Sequence, residues 1–275
     1  MAARAALEAL LRDRKLDRTL TSTLPERLGD DAVAAIGIDT LDRAVAGRYG
    51  PQDYTAGGLP RGQVSEVIGP ASSGRTSLAW AALAAATRRG ESVALIDTFD
   101  RFDPPTADAC GIRLSRLLWV RGQAVSKTAV AIDPAWLPGV RAVNGPGTFM
   151  ERVIDRAIKA LNLVVQSRVC TLVVIDLIDV PAHALRRLPA STWFRIERAI
   201  EGSDTAVLIL SAIPVARSAG GRSIQLGGET QRVMWKGDHE RTRRVAGVRS
   251  RASVAAARWS HVQCVDVETI VPNAV

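Results

Sequence analysis

Between Val64 and Ser77 the chain reads VSEVIGPASSGRTS, and Gly69, Pro70, Ser72, Ser73, Gly74, Arg75, Thr76 and Ser77 have the types and spacing of a phosphate-binding loop. The pattern Gly-x-x-x-x-Gly-Lys-Ser/Thr is met except at one position, where Arg75 stands in place of lysine. In such a loop consecutive backbone N–H groups and the positive end of the following helix hold the phosphates of ATP or ADP. Glycine lets the backbone come close. The Thr76 hydroxyl is suited to bind Mg2+ directly, and an acid ending a later strand would order the water shell of the metal. Asp176, at the end of TLVVID, is that acid. The same residues are also consistent with an empty loop.

This chemistry needs a strand before the loop and a helix after it. Gln63 to Ile68 alternates and then runs apolar, as a buried strand does. Thr76 to Arg89 is Ala-rich and stops at Gly90, a helix C-cap. Val93 to Asp97 is a second buried strand, and a strand, helix, strand unit of this length implies a parallel sheet. Further along, Asp103 to Cys110 reads as a helix capped by Asp103, and Arg116 to Val120 as a strand. Thr148 to Ser167 has helical periodicity, Thr171 to Asp176 is a strand, Thr192 to Gly202 a helix and Ala206 to Ser211 a fifth buried strand. Gln123 to Pro146, with Trp136 among prolines and glycines, reads as an inserted loop. Pro214 to Gly228 reads as a flexible loop. Arg232 to Trp235, Val248 to Trp259 and Val262 to Ile270 read as antiparallel strands closing one side of the sheet.

With 275 residues the chain can bury one sizeable core. We expect an N-terminal helix and linker over 1–32, a core over 33–235 and a basic strand extension over 236–275. No apolar run reaches the ~18 to 20 residues of a membrane span and the N-terminus is charged, so the sequence predicts a cytoplasmic protein with no membrane contact. Cys110, Cys170 and Cys264 are too scattered for a zinc site or a disulfide framework and read as core thiols. The net charge is +8, and ten Lys/Arg stand against three acids between Arg217 and Arg258. A region of one sign favours single-stranded DNA or an acidic protein. Arg217, Arg222, Arg241, Arg243 and Arg244 are the candidate DNA contacts. A solvated basic face is the other reading.

The flanks of the loop point to a family. Gly57-Gly58-Leu59-Pro60-Arg61-Gly62, GPASSGRTS and LIDTFDRFDP stand in the order found in bacterial RecA, and the resemblance runs from about Ile36 to Ile270, strongest from Ala34 to Val120. It implies an α/β, RecA-like phosphate-loop fold: a mostly parallel twisted sheet flanked by helices, with antiparallel C-terminal strands. It places a catalytic glutamate two positions after Asp97, where this chain has Phe99; a register shift would offer Asp100 instead. It places an Asn-Gln pair, whose glutamine senses the terminal phosphate, where this chain has Ser211 and Ala212. Leu177 to Pro189 replaces the first DNA-facing loop of the family. An N-terminal helix such as Ala3 to Arg18, with Leu7, Leu10 and Leu11 on one stripe, packs on a neighbouring subunit in that family, which implies a homo-oligomer or a contact with RecA. Packing on its own domain is the alternative.

Arginine cannot simply replace the compact lysine, phenylalanine cannot orient a water or take its proton, and alanine has no hydrogen-bonding side chain. A shortened RecA-like chain with such departures resembles the ImuA family, which accompanies an inactive Y-family polymerase and an error-prone polymerase in damage-induced mutagenesis. The resemblance implies an accessory protein that binds RecA, the polymerase pair, or both. Two other readings stand beside it: a slow RecA-like DNA-dependent ATPase, and a structural module whose loop is empty.

Overall fold

The computed structural model describes residues 33–46, 57–122, 149–216, 220–227, 231–238, 242–257 and 262–270. The expected N-terminal helix, the insertion after Gly122 with Trp136, Arg217 and Arg241 lie outside these residues. Among the described residues, strands are numbered β1 to β11 and helices α1 to α6.

A two-stranded ribbon, β1 (Val33–Ala34) with β2 (Leu59–Pro60), brings the chain into the domain beside α1 (Asp39–Ala46). The nine-stranded sheet then has the order β11-β10-β8-β3-β7-β6-β4-β5, with β9 paired to the free half of β10. Its centre is parallel: β3 (Val64–Ile68), β7 (Ala206–Ser211), β6 (Leu172–Asp176), β4 (Val93–Asp97) and β5 (Leu117–Arg121). Every residue of β3, β4 and β7 is buried, which is why these segments read as apolar runs with no solvent face. Parallel neighbours need crossovers, and α2 (Arg75–Arg88), α3 (Pro104–Ala109), α4 (Phe149–Ser167), α5 (Ala182–Arg187) and α6 (Ala190–Ile200) supply them.

The helices cover both faces. On one, Leu78, Ala82 and Leu83 of α2 and Leu41 and Val45 of α1 pack on Val67, Leu95, Val174 and Leu208. On the other, Ile154, Leu161 and Val165 of α4 and Trp193 and Ile196 of α6 pack on Ile96, Val173 and Ile209. The small side chains of α2 let it lie close on the sheet. Asp103 caps α3, its carboxylate accepting the N–H of Thr106 at 3.2 Å.

Two segments read as loops hold regular structure: Leu177 to Pro189 contains α5, and Pro214 to Gly228 contains a strand. Within the latter, Ser223–Leu226 forms β8, parallel to β3 and antiparallel to β10. Ile224 and Leu226 point into the core with Ala252 and Val254. The sheet therefore continues without a break from β3 through β8 and β10 (Arg244–Ala255) to β11 (Gln263–Ile270), while β9 (Arg232–Lys236) and the first half of β10 project beyond it.

A candidate nucleotide site at the carboxyl ends of the strands

Between β3 and α2, Gly69 to Gly74 turns the chain over the end of the sheet. The turn is held from inside and outside. The Ser73 N–H donates to the Pro70 carbonyl, and the Gln231 amide donates to the Ser72 carbonyl at 2.6 Å. A Cβ on Gly69 would lie 2.5 Å from the Leu226 carbonyl oxygen and 2.6 Å from Ser73 Oγ, so only glycine fits. Gly74, with φ +93°, heads α2 with no side-chain cap. The first N–H groups of α2 thus have no internal acceptor, the condition under which a helix start takes an anion. Ser72, Thr76 and Ser77 are exposed at this end. The Ser73 hydroxyl is buried with no hydrogen-bond partner, an orphan that a phosphate oxygen would satisfy. Backbone and hydroxyls here fit the phosphates of a nucleotide.

Thr76 and Asp176 line one cavity of about 280 Å³, together with Asp97, Asp179, Trp80 and Phe102. Asp97 ends β4 directly beside Asp176, which ends β6. Asp97 is committed to structure: its carboxylate accepts the N–H groups of Arg101 and Phe102, each at 2.8 Å, and Trp119 Nε1–H at 3.1 Å. Asp176 accepts the Ile178 N–H at 2.8 Å. Burial, aided by Asp97 and Asp179, pushes its carboxyl up to about 6, against the pull of Ile178 and Arg75. An acid whose carboxyl is raised by burial, sharing a cavity with a hydroxyl, suits a divalent cation, whose charge would hold the carboxylate ionised.

The Arg75 side chain does not line this cavity. It is 4% exposed, and its Nη1 donates to the Ser211 carbonyl at 2.7 Å. Burial lowers the guanidinium below its ordinary value while Asp176 and Asp179 raise it. Phe99 is 2% exposed and packs in the core with Met150 and Val153. Asp100 does not take its place, since Arg121 grips both carboxylate oxygens at 2.9 and 2.8 Å. Ala212, one residue past β7, is exposed.

Of the candidate DNA contacts among the described residues, Arg222 does not join Arg243 and Arg244. Arg222 is turned inward: its Nε donates to the Val45 carbonyl at 2.8 Å and its Nη1 to the Gly220 carbonyl at 2.8 Å. Arg243 and Arg244 are exposed on the β9–β10 hairpin.

Sequence reading missed Glu66. It is buried in β3, accepts the N–H groups of Val215 and Ala216 at 2.9 and 3.1 Å and the Ser223 hydroxyl at 3.2 Å, and burial raises its carboxyl. It ties both ends of the segment between β7 and β8 to the strand that feeds the glycine loop. An acid inside the otherwise apolar VSEVI was the available signal.

Comparison with known proteins bears on the first half of the chain. The RecA N-terminal domain matches residues 21–133. The protein RecA of Chlorobaculum tepidum is 41% identical over 98 residues, which are 34% of this chain and 26% of that protein. The protein RecA of Lactobacillus acidophilus is 34% identical over 120 residues, 42% of this chain and 30% of that protein, and that of Chloroflexus aggregans is 39% identical over 108 residues, 38% of this chain and 28% of that protein. The chain thus covers less than a third of the length of these relatives. It is RecA-like over the stretch that builds the glycine loop, β4 and β5.

Proposed function

We propose that this chain is a RecA-like accessory protein of the DNA-damage response that works by binding and not by ATP turnover, in the manner of the ImuA family. The observation that carries this reading is Phe99, buried in the core at the position where the RecA resemblance expects the water-activating glutamate. The exposed Ala212 and the inward-turned Arg75 point the same way.

Gly69 to Ser77 would hold ATP or ADP through backbone N–H groups and hydroxyls, with Mg2+ on Thr76 and beside Asp176. The metal, when bound, supplies charge that draws the phosphates and the Asp176 carboxylate together. The chain's own residues orient the phosphates, and Phe99, which cannot take a proton, lines the cavity where the family resemblance expects the base. The partners that fit are RecA and the inactive Y-family and error-prone polymerase subunits, with single-stranded DNA along the exposed basic hairpin. The membrane enters nowhere in this reading, and among the described residues no helix is long and apolar enough to cross one.

The test is retention of purified RecA, and separately of the polymerase subunits, on the immobilised chain with no nucleotide, ADP or ATP. Retention that is the same in all three conditions supports a binding role uncoupled from hydrolysis; absence of retention of every one of these proteins would overturn it. A slow DNA-dependent ATPase is the second reading, favoured by the shared cavity of Thr76 and Asp176.

A further inference from the structure

We propose that Arg75, held on the Ser211 carbonyl, is withheld from the place of a third phosphate, so that the loop takes a nucleoside diphosphate in preference to a triphosphate. This rests on reading Gly69 to Ser77 as a nucleotide site and goes beyond it to the ligand class.

The half of the site that would serve two phosphates is intact. Gly74 leaves the start of α2 uncapped, the Ser73 hydroxyl is buried without a partner, and Gly69 and Gly74 keep the backbone clear of side chains. The half that would serve a third phosphate is altered. The side chain in the lysine position is buried and bound to the Ser211 carbonyl at the end of β7. That carbonyl belongs to a fixed corner, since Ser211 Oγ donates to the Ile213 carbonyl at 2.7 Å. Freeing the guanidinium would break a buried hydrogen bond made by a charged donor, so Arg75 does not swing out cheaply as an unbonded lysine would.

Past Thr76 the cavity is lined by the carboxylates of Asp97, Asp176 and Asp179. The other cation there, Arg101, is paired with Asp179 at 3.1 Å. A third phosphate would therefore bring negative charge toward three acids with Mg2+ alone to offset it, the side chain in the lysine position being engaged elsewhere. A diphosphate ends before that point and keeps all the loop contacts. The consequence is a loop tied to β7 whatever is bound, with no change of shape between nucleotide states to report.

Isothermal titration of the full chain with AMP, ADP and ATP, each in Mg2+, decides the matter. ADP should bind, AMP should bind much more weakly, and ATP should bind on the order of tenfold more weakly than ADP, the equivalent of one lost charge-assisted contact. Arg75→Lys should narrow or reverse the ADP preference; the wild-type comparison decides alone if that variant does not fold. ATP binding more tightly than ADP, AMP matching ADP, or no binding of either ADP or ATP would each overturn the proposal. Tighter ATP binding without phosphate release would sink this selectivity and leave the non-hydrolysing reading standing, whereas phosphate release would sink that reading itself.

Discussion

Asp176 is the residue whose behaviour in solution follows most directly from its surroundings. Its carboxyl is raised to about 6, so between the unfolded value near 4 and that point the folded chain holds a proton the unfolded chain has released. Its contribution to stability is then present at low pH and lost as pH rises through about 6. Asp176→Asn keeps an acceptor for the Ile178 N–H and removes the buried charge. We expect it to be more stable than the parent at pH 8 by about 1–3 kcal/mol and to converge with it near pH 4.5, as urea melts at the two pH values will show. Equal destabilisation at both would mean that the charge is already compensated. Gly69→Ala should act in the opposite sense. Its methyl would press on the Leu226 carbonyl, a backbone atom that cannot give way without moving β8. A cost of about 2 kcal/mol or more is expected from thermal melts, together with loss of any nucleotide binding. At this scale the glycine turn with Thr76 could be read from local spacing, and Asp176 from the apolar strand that it ends. The role of Arg75 could not, since its acceptor on Ser211 is 136 positions away.

The elements divide along the same line. The parallel strands and their helices were readable because buried strands are continuous apolar runs and helices carry a 3.6-residue period. β8 was hidden: it is four residues long, lies beside glycines, and owes its existence to pairing with β3 and β10, both remote in sequence. Its recovery changes the reading of the basic region. Arg222, next to β8, is spent on carbonyl groups of α1 and of its own turn, whereas the hairpin of β9 and β10 exposes Arg232, Lys236, Arg243 and Arg244 around Trp235. Replacing Arg241, Arg243 and Arg244 by alanine should weaken binding to any single-stranded DNA alike and flatten the dependence of log K on log salt by about two to three units. Arg222→Ala should leave that slope unchanged and lower the thermal midpoint. An unchanged slope in the triple variant, followed by fluorescence anisotropy across a salt series, would mean that these arginines do not meet DNA.

At the scale of the whole molecule, one twisted sheet carries the glycine loop at its centre and a charged antiparallel hairpin at one end, with helices on both faces. The match to the RecA N-terminal domain, over residues 21–133, takes in the loop, β4 and β5 and ends before β6, so the second half of the sheet was reached through apolar patterning and the thinner part of the resemblance. On the function proposed above, the chain keeps a RecA-like scaffold and a phosphate-holding loop and departs from the resemblance at Arg75, Phe99 and Ala212. Phosphate release from ATP in Mg2+, measured on the full chain with and without saturating single-stranded DNA, tests this most directly. The account predicts a rate at least about 10²-fold below that of an active recombinase and no stimulation by DNA. Turnover near the recombinase rate that rises on adding DNA would contradict it.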